Sequence, residues 1–101
     1  MTHRIVNLRD AITRLHGCES KHLGSVPVKE TFQGAKVWDG VVEVFSLTGH
    51  PQAKFCHAWI IQEDGGGERY VAVLEVPPVD SPATAVRAAI ASDHKSKGGR
   101  K

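Results

Sequence analysis

Four segments of strand-like composition follow one another in this chain with only short connections between them. They are Val26–Phe32, Lys36–Leu47, Lys54–Glu63 and Arg69–Val76. Turn-forming residues fill the gaps, as at Gln33-Gly34 and Gly65-Gly66-Gly67. Parallel strands need crossover connections of about a dozen residues, and these gaps are too short for them. The spacing therefore predicts a four-stranded antiparallel meander.

A helical pattern lies on each side of the strands. Ile5, Leu8 and Ile12 recur at three- and four-residue steps, which predicts a helix from about Thr2 to His16. After the last strand, Ser81-Pro82 is typical of a helix start, with serine as the cap and proline in the first turn. The second helix is predicted from Pro82 to about His94. We expect an α+β fold in which both helices pack on one face of the sheet.

Length and charge indicate one small domain with a basic end. A chain of 101 residues supports a single hydrophobic core. We assign residues 1–94 to one α+β domain and residues 95–101 to a flexible basic tail. Four of the basic residues lie in that tail, so the net charge of +2 leaves the rest of the chain at about −2. A Gly-rich basic terminus of this kind is more often a frayed end than a nucleic-acid-binding arm, so nucleic acid is not the partner we favour.

Composition argues against membrane insertion and secretion. The hydrophobic fraction of 41% is interrupted by charges throughout, and the first residues lack the apolar stretch of a signal peptide. We therefore expect a cytoplasmic protein without a membrane partner. Cys18 and Cys56 are the only two cysteines, and in a reducing compartment they are expected as thiols.

The alternation of side chains divides the predicted sheet into two faces once a register is assumed. We pair Leu47 with Ala53 across the second turn, and Glu63 with Arg69 across the third. The predicted core face then holds Trp38, Val42, Val44, Cys56, Ala58, Ile60, Ala72, Leu74 and Val76. The opposite side, here called the mixed face, holds Val37, Asp39, Val41, Glu43, Phe45, Phe55, His57, Trp59, Ile61, Arg69, Val71, Val73 and Glu75. The mixed face is too apolar to lie open to water, so we interpret it as a contact surface.

Within the mixed face the assumed register places Glu43 and Glu75 on either side of His57. Two carboxylates beside an imidazole favour its charged form. The arrangement fits a cross-strand ion pair, a pH-sensitive polar contact or general acid-base chemistry, and the residues alone leave the three open.

Other chemistry is disfavoured by spacing. Zinc sites bring cysteine and histidine ligands in tight pairs, which this chain lacks, so we expect no metal and no other cofactor. Cys56 and His57 are adjacent in a strand and point to opposite faces, so they cannot form a catalytic dyad. The glycines at 65–67 lie between antiparallel strands and not before a helix, which indicates a hairpin tip and not a phosphate-binding loop.

Several stretches carry a resemblance to known proteins. They are Val37 to Phe45, Gly49-His50-Pro51, Cys56 to Trp59 and Pro77 to Pro82. Over most of its length the chain resembles a group of short bacterial proteins of unassigned function. Such proteins are often carried on mobile elements, including integron gene cassettes. The resemblance implies that bacterial context and implies no activity.

The element order is also similar to that of the double-stranded RNA-binding domain. That domain reads phosphates with lysines at the start of its second helix. This chain has Asp80-Ser81-Pro82-Ala83 at that place, which lacks the required positive charge.

Three functional hypotheses follow. The first is a non-enzymatic binding module that forms a homodimer through the mixed face, with Phe45, Phe55 and Trp59 as anchors. Val41 adds apolar area, and the polar residues that set the register are Glu43, His57 and Glu75. The alternative makes the same face the floor of a small-molecule pocket, weakly catalytic if His57 acts as a base. Stacking of single-stranded bases on the aromatics ranks last, because the nearby carboxylates repel phosphate.

Overall fold

The structure is a computed structural model that describes residues 3–63 and 65–98. The elements in chain order are α1 (His3–His16), β1 (Glu19–Phe32), β2 (Ala35–Thr48), β3 (Phe55–Gln62), β4 (Glu68–Leu74) and α2 (Pro82–Gly98). The four strands form one sheet in the order β1-β2-β3-β4, and every neighbouring pair is antiparallel. The predicted α+β meander of helix, four strands and helix is confirmed.

The first hairpin is longer than the sequence predicted. β1 begins at Glu19, whereas the pattern predicted a polar connection as far as Ser25. This polar stretch is extended because it pairs with β2, with Ser20 opposite Leu47 and Ser25 opposite Glu43, although a register shift between His22 and Gly24 interrupts the ladder. Strand formation here depends on the partner strand more than on local propensity.

A one-residue difference in register separates the predicted sheet from the observed one. Ser46 lies opposite Phe55, and the Leu47 N–H donates to the Lys54 carbonyl at 2.8 Å, so Leu47 does not pair with Ala53. The loop is longer because the ring of His50 accepts the backbone N–H of Ala53 at 3.0 Å. Ala53 is thereby buried in the loop and does not extend β3. A shift by one residue moves every β2 side chain to the other face relative to β3.

The observed pairing of β3 with β4 differs from the predicted pairing by two residues. Because side chains alternate with a period of two, each residue of these strands stays on its predicted face. Ile61 lies opposite Arg69, where the sequence paired Glu63 with Arg69. Side chains of β3 and β4 that were expected to share a face therefore do share it.

The two helices cover opposite faces of the sheet, and the expectation that both pack on one face is wrong. One cluster places Leu8 and Ile12 of α1 against Phe45, Cys56 and Ala58. The other places Ala85 and Val86 of α2 against Val28, Val42, Trp59 and Val79. Ala58 and Trp59 are adjacent in β3 and so point to opposite sides. We call these sides the α1 face and the α2 face; each has its own core.

The second helix starts where the sequence predicted and ends later. The Thr84 N–H donates to the Ser81 hydroxyl at 3.2 Å, and the Ala85 N–H donates to the Ser81 carbonyl at 3.0 Å, so Ser81 caps α2. The helix continues to Gly98, so the tail predicted to begin at Lys95 starts within it. Residues 99–101 lie outside the described part of the chain. No helix within residues 3–63 and 65–98 is long and apolar enough to cross a bilayer.

Candidate functional site

A cleft of about 400 Å³ lies between α2 and the α2 face of the sheet. Most of its lining is apolar. The sheet contributes Trp38, Trp59, Ile61, Val71, Ala72 and Val73, and the helix contributes Val86, Ala88, Ala89 and Ile90. Small-molecule sites in proteins are commonly clefts of roughly 300–1,000 Å³ with such a lining. We call this site the α2 cleft.

Small residues on α2 leave the space that forms the cleft. The helix carries alanine at 83, 85, 88, 89 and 91. Only Val86 and Ile90, one turn apart, present larger apolar side chains among its cleft residues. The helix therefore covers the sheet without filling the volume above it.

Two tryptophans, the only two in the chain, both line the α2 cleft. The rings of Trp38 and Trp59 are 5.6 Å apart at an interplanar angle of 72°, an edge-to-face contact. Gly40 permits the Trp38 position, because a Cβ at residue 40 would lie 3.1 Å from the Trp38 ring. Any ligand in the cleft would contact indole surface.

An ion pair holds α2 to the edge of the sheet. Arg87 Nε donates to Glu30 Oε1 at 2.8 Å, and Glu30 belongs to β1. The hydrogen bond and then the charge of Glu30 raise the pKa of Arg87 above its ordinary value. Since Arg87 lies on the solvent side of the helix, this contact orients α2 without entering the cleft.

Two buried polar atoms on the α2 face have no hydrogen-bond partner among the described residues. They are Trp59 Nε1 and His57 Nδ1, and each of these side chains is 2% exposed. Leaving a buried donor or acceptor unsatisfied costs about 1–3 kcal/mol. Native structures rarely keep such groups without a reason, and the usual reasons are a buried water, an ion, local strain or a catalytic role.

The other nitrogen of His57 is engaged. His57 Nε2 lies 2.9 Å from Glu75 Oε1. Because an ionised carboxylate only accepts, Nε2 carries the proton in this contact. Nδ1 then bears a lone pair in the neutral ring and a second N–H in the protonated ring.

The rim of the α2 cleft is polar. Arg69 and Ser92 are its polar lining residues. Arg69 Nε lies 3.5 Å from Glu63 Oε2, and both side chains are about half exposed. The cleft therefore has an apolar interior and an opening at which charge is tolerated.

The predicted site residues do not form one surface. Trp59 is buried beneath α2, and Phe45 is fully buried beneath α1 on the other side of the sheet. Phe55 and Val41 are 36% and 37% exposed. They also lie on opposite faces, because Val41 shares the face of Phe45 while Phe55 alternates away from Cys56. The mixed face proposed as a docking surface is thus divided by the register shift and covered by α2.

Glu43 does not flank His57, which corrects the predicted carboxylate pair. It lies on the α1 face and is 4% exposed. Its Oε1 accepts from His22 Nε2 at 2.8 Å and from the Ser25 hydroxyl at 2.5 Å, while Arg4 Nε stands 4.0 Å from Oε2. These contacts satisfy a buried carboxylate. His22 and Ser25 share one Glu43 oxygen and do not form a serine-histidine relay.

The cysteines are structural. Cys18 and Cys56 are both buried in the core beneath α1. Burial and then the neighbouring Cys18 raise the pKa of the Cys56 thiol to about 12. A thiol of that pKa is a poor nucleophile at neutral pH. No group of three or more metal-ligating side chains occurs in the part of the chain that the structure describes.

Comparison of the chain with protein-family models, with curated proteins and with solved structures gave no match.

The sequence placed most of the sheet residues of the α2 cleft on one face, with Trp38 and Ala72 on the other, and predicted α2 on the opposite side from the cleft. Trp59, Ile61, Arg69, Val71 and Val73 were all assigned to the mixed face. Trp38 was assigned to the core face only because of the register error. The alanine-rich composition of α2 was the available signal for a loosely covered sheet, and it does not by itself specify which face the helix covers.

Proposed function

We propose that this protein is a non-enzymatic module that binds a small, mainly apolar molecule in the α2 cleft. One observation carries the proposal: an apolar cleft of about 400 Å³ is lined by Trp59, whose buried Nε1 has no partner among the described residues. Because an indole N–H only donates, a suitable ligand presents an apolar body and one acceptor.

Apolar burial and one hydrogen bond would contribute different parts of the binding energy. Ligand burial against two indoles and the aliphatic residues removes apolar surface from water, which is worth about 25 cal/mol per Å² before the costs of association. The acceptor would relieve the unsatisfied Trp59 Nε1. Specificity then depends on where the acceptor lies relative to the apolar body.

Intrinsic fluorescence tests the proposal directly, because both tryptophans line the cleft. Cyclohexyl methyl ether, which has an apolar ring and one acceptor, serves as the probe. We expect saturable change in emission and a rise in the melting temperature as the probe is added. Probe concentrations up to the solubility limit that change neither quantity would refute the binding function.

A matched pair of variants locates the site. Ala89→Leu places a larger side chain in the cleft, whereas Ala91→Leu changes an exposed position of the same helix that does not line it. We expect Ala89→Leu to abolish binding of the ether and Ala91→Leu to retain it. Equal binding by the two variants would show that the probe binds elsewhere.

Self-association stays a prediction, with fewer available anchors. Trp59 and Phe45 are buried within the subunit, which leaves Phe55 and Val41 on opposite sides of the sheet. The same burial of Trp59 prevents it from stacking nucleic-acid bases. Sedimentation of the wild type beside Phe55→Asp tests the dimer, since a dimer that depends on Phe55 dissociates in the variant.

A further inference from the structure

We infer that the ligand of the α2 cleft is an amphiphile whose carboxylate lies at the rim of the cleft beside Arg69. This ligand class rests on the proposed binding function and adds one charged group to the apolar body. The observation behind it is the charge of the lining: among the described residues that line the cleft, Arg69 is the only charged one.

The strand register places Arg69 at one end of the apolar row that forms the sheet side of the cleft. Arg69 lies opposite Ile61, and Val71 lies opposite Trp59, so the four side chains project from one face of β3 and β4. All four line the cleft. The Arg69 side chain is 46% exposed, whereas Trp59 is 2% exposed. The cleft therefore leads from a buried apolar interior to a solvent-accessible cation.

The contact of Arg69 with Glu63 does not prevent it from binding a ligand. Arg69 Nε lies 3.5 Å from Glu63 Oε2, which is longer than the roughly 2.7–2.9 Å of a strong charge-assisted hydrogen bond. Both side chains are about half exposed, and ion pairs of this kind contribute little to stability. A guanidinium carries several N–H donors, so Arg69 can bind a ligand oxygen while it keeps its other contacts.

The charge of the rim selects the sign of the ligand. Glu63 does not line the cleft, and Ser92, the other polar lining residue, is neutral. A ligand in the apolar interior therefore meets one positive group where its body reaches solvent. A carboxylate suits this group because a guanidinium can donate two parallel hydrogen bonds to the carboxylate oxygens. An ammonium group would be repelled at the same place.

An ionised group is tolerated at the rim and excluded from the interior. The interior wall consists of indole and aliphatic side chains such as Trp38, Val71 and Ile90, and burying an unpaired carboxylate among them would be costly. Beside the half-exposed Arg69, a carboxylate gains a cation and keeps part of its hydration. The ligand therefore binds with its apolar body inward and its charge toward solvent.

Three probes with one ring distinguish the charge of the ligand: cyclohexanecarboxylate, its neutral analogue cyclohexanecarboxamide, and cyclohexylmethylammonium. Tryptophan emission at neutral pH and low salt measures their affinities. We expect the carboxylate to bind about 2- to 5-fold more tightly than the carboxamide, the range that one exposed ion pair contributes. The ammonium should bind more weakly than either. Equal affinities of the carboxylate and the carboxamide, or tightest binding of the ammonium, would overturn the carboxylate inference while leaving the cleft function intact.

A matched pair of arginine variants locates the charge. Arg69→Gln removes the cation at the rim and should abolish the preference for the carboxylate, with carboxamide affinity within about 2-fold of the wild type. Arg14→Gln removes the same charge from an exposed position of α1, on the other side of the sheet, and should retain the preference. An unchanged preference in Arg69→Gln, or an equal loss in both variants, would overturn the assignment of Arg69.

Glu63→Gln tests the same group with the opposite sign. Because this substitution removes a negative charge beside Arg69, we expect the preference for the carboxylate to rise above that of the wild type. A preference that stays the same or falls would contradict the electrostatic role of Arg69. Failure of all three probes to bind the wild-type protein would instead refute the binding function itself.

Discussion

Phe45 and Phe55 give the sharpest stability test of the observed register. The assumed register placed both on one outward face, whereas the structure buries Phe45 completely beneath α1 and leaves Phe55 36% exposed. Phe45→Ala deletes a buried aromatic ring and leaves a cavity, which costs about 3–5 kcal/mol. Phe55→Ala removes a partly exposed ring, and we expect a cost of about 1 kcal/mol.

These magnitudes are large relative to the stability of a domain of this size. Free energies of unfolding are typically about 5–15 kcal/mol, so Phe45→Ala removes a substantial share. One kcal/mol corresponds to roughly 4–8 °C in melting temperature for a small domain. Urea denaturation followed by circular dichroism measures both variants, and similar slopes validate the comparison.

The result that refutes the register is specific. Equal destabilisation by the two substitutions, or a larger effect at Phe55, would mean that Phe45 is not in the α1 core. The milder pair Phe45→Leu and Phe55→Leu gives the same ordering if Phe45→Ala does not fold.

Three further predictions follow from individual contacts. Glu43→Gln weakens the buried contacts with His22 and Ser25 and should lower the free energy of unfolding by about 1–3 kcal/mol, measured by urea denaturation. Glu75→Gln, at a more exposed site, should cost less, and a larger cost there would contradict the burial of Glu43. Gly40→Ala would place a Cβ 3.1 Å from the Trp38 ring, so we expect the ring to shift by a few tenths of an ångström and the near-ultraviolet circular dichroism spectrum to change; an unchanged spectrum would argue against the close approach. Burial raises the pKa of the Cys56 thiol from 9.0 to about 12. As the pH rises, the thiol therefore loses its proton in the unfolded chain before it does so in the folded protein. Its contribution to stability is intact below pH 9 and is lost between pH 9 and 12. Over that window Cys56 should contribute a decline of up to about 1.4 kcal/mol per pH unit, which Cys56→Ala removes, and identical pH profiles of the two proteins would contradict the shift.

The local pattern of the sequence was sufficient to predict the helices and strands and their order. Alternation identified four strands, and the Ser81-Pro82 signal located the start of α2 correctly. The turn predicted at Gln33-Gly34 is also present. Both residues adopt positive φ, 51° and 80°, which suits a tight hairpin. These features depend on residues near each other in the chain.

The faces of the sheet could not be derived in the same way. They depend on one loop, in which the His50 ring binds the backbone N–H of Ala53 and adds a residue to the connection. Such a side-chain contact leaves no trace in the hydrophobic periodicity of the sequence. Because the side-chain repeat of a strand is two residues, this single residue placed Phe45 beside Cys56 and Trp38 beside Trp59, on faces opposite to those predicted.

The candidate site therefore emerged by a different route from the one the sequence indicated. His57, Trp59 and Glu75 lie on one face of the sheet, as the alternation predicted, but the sequence made them parts of an open interface. The structure encloses Trp59 under an alanine-rich helix, and the space left by the small side chains becomes the relevant feature. Only the packing of two elements distant in sequence reveals that space.

Nuclear magnetic resonance of the two indole N–H groups tests the central claim most directly. With two tryptophans in the chain, the spectrum contains two indole signals, and Trp38→Phe assigns them. On titration with cyclohexanol we predict that the Trp59 proton moves downfield in a saturable manner, as its unsatisfied N–H gains an acceptor. A Trp59 signal that stays unmoved at saturating cyclohexanol would contradict the assignment of the α2 cleft as a binding site.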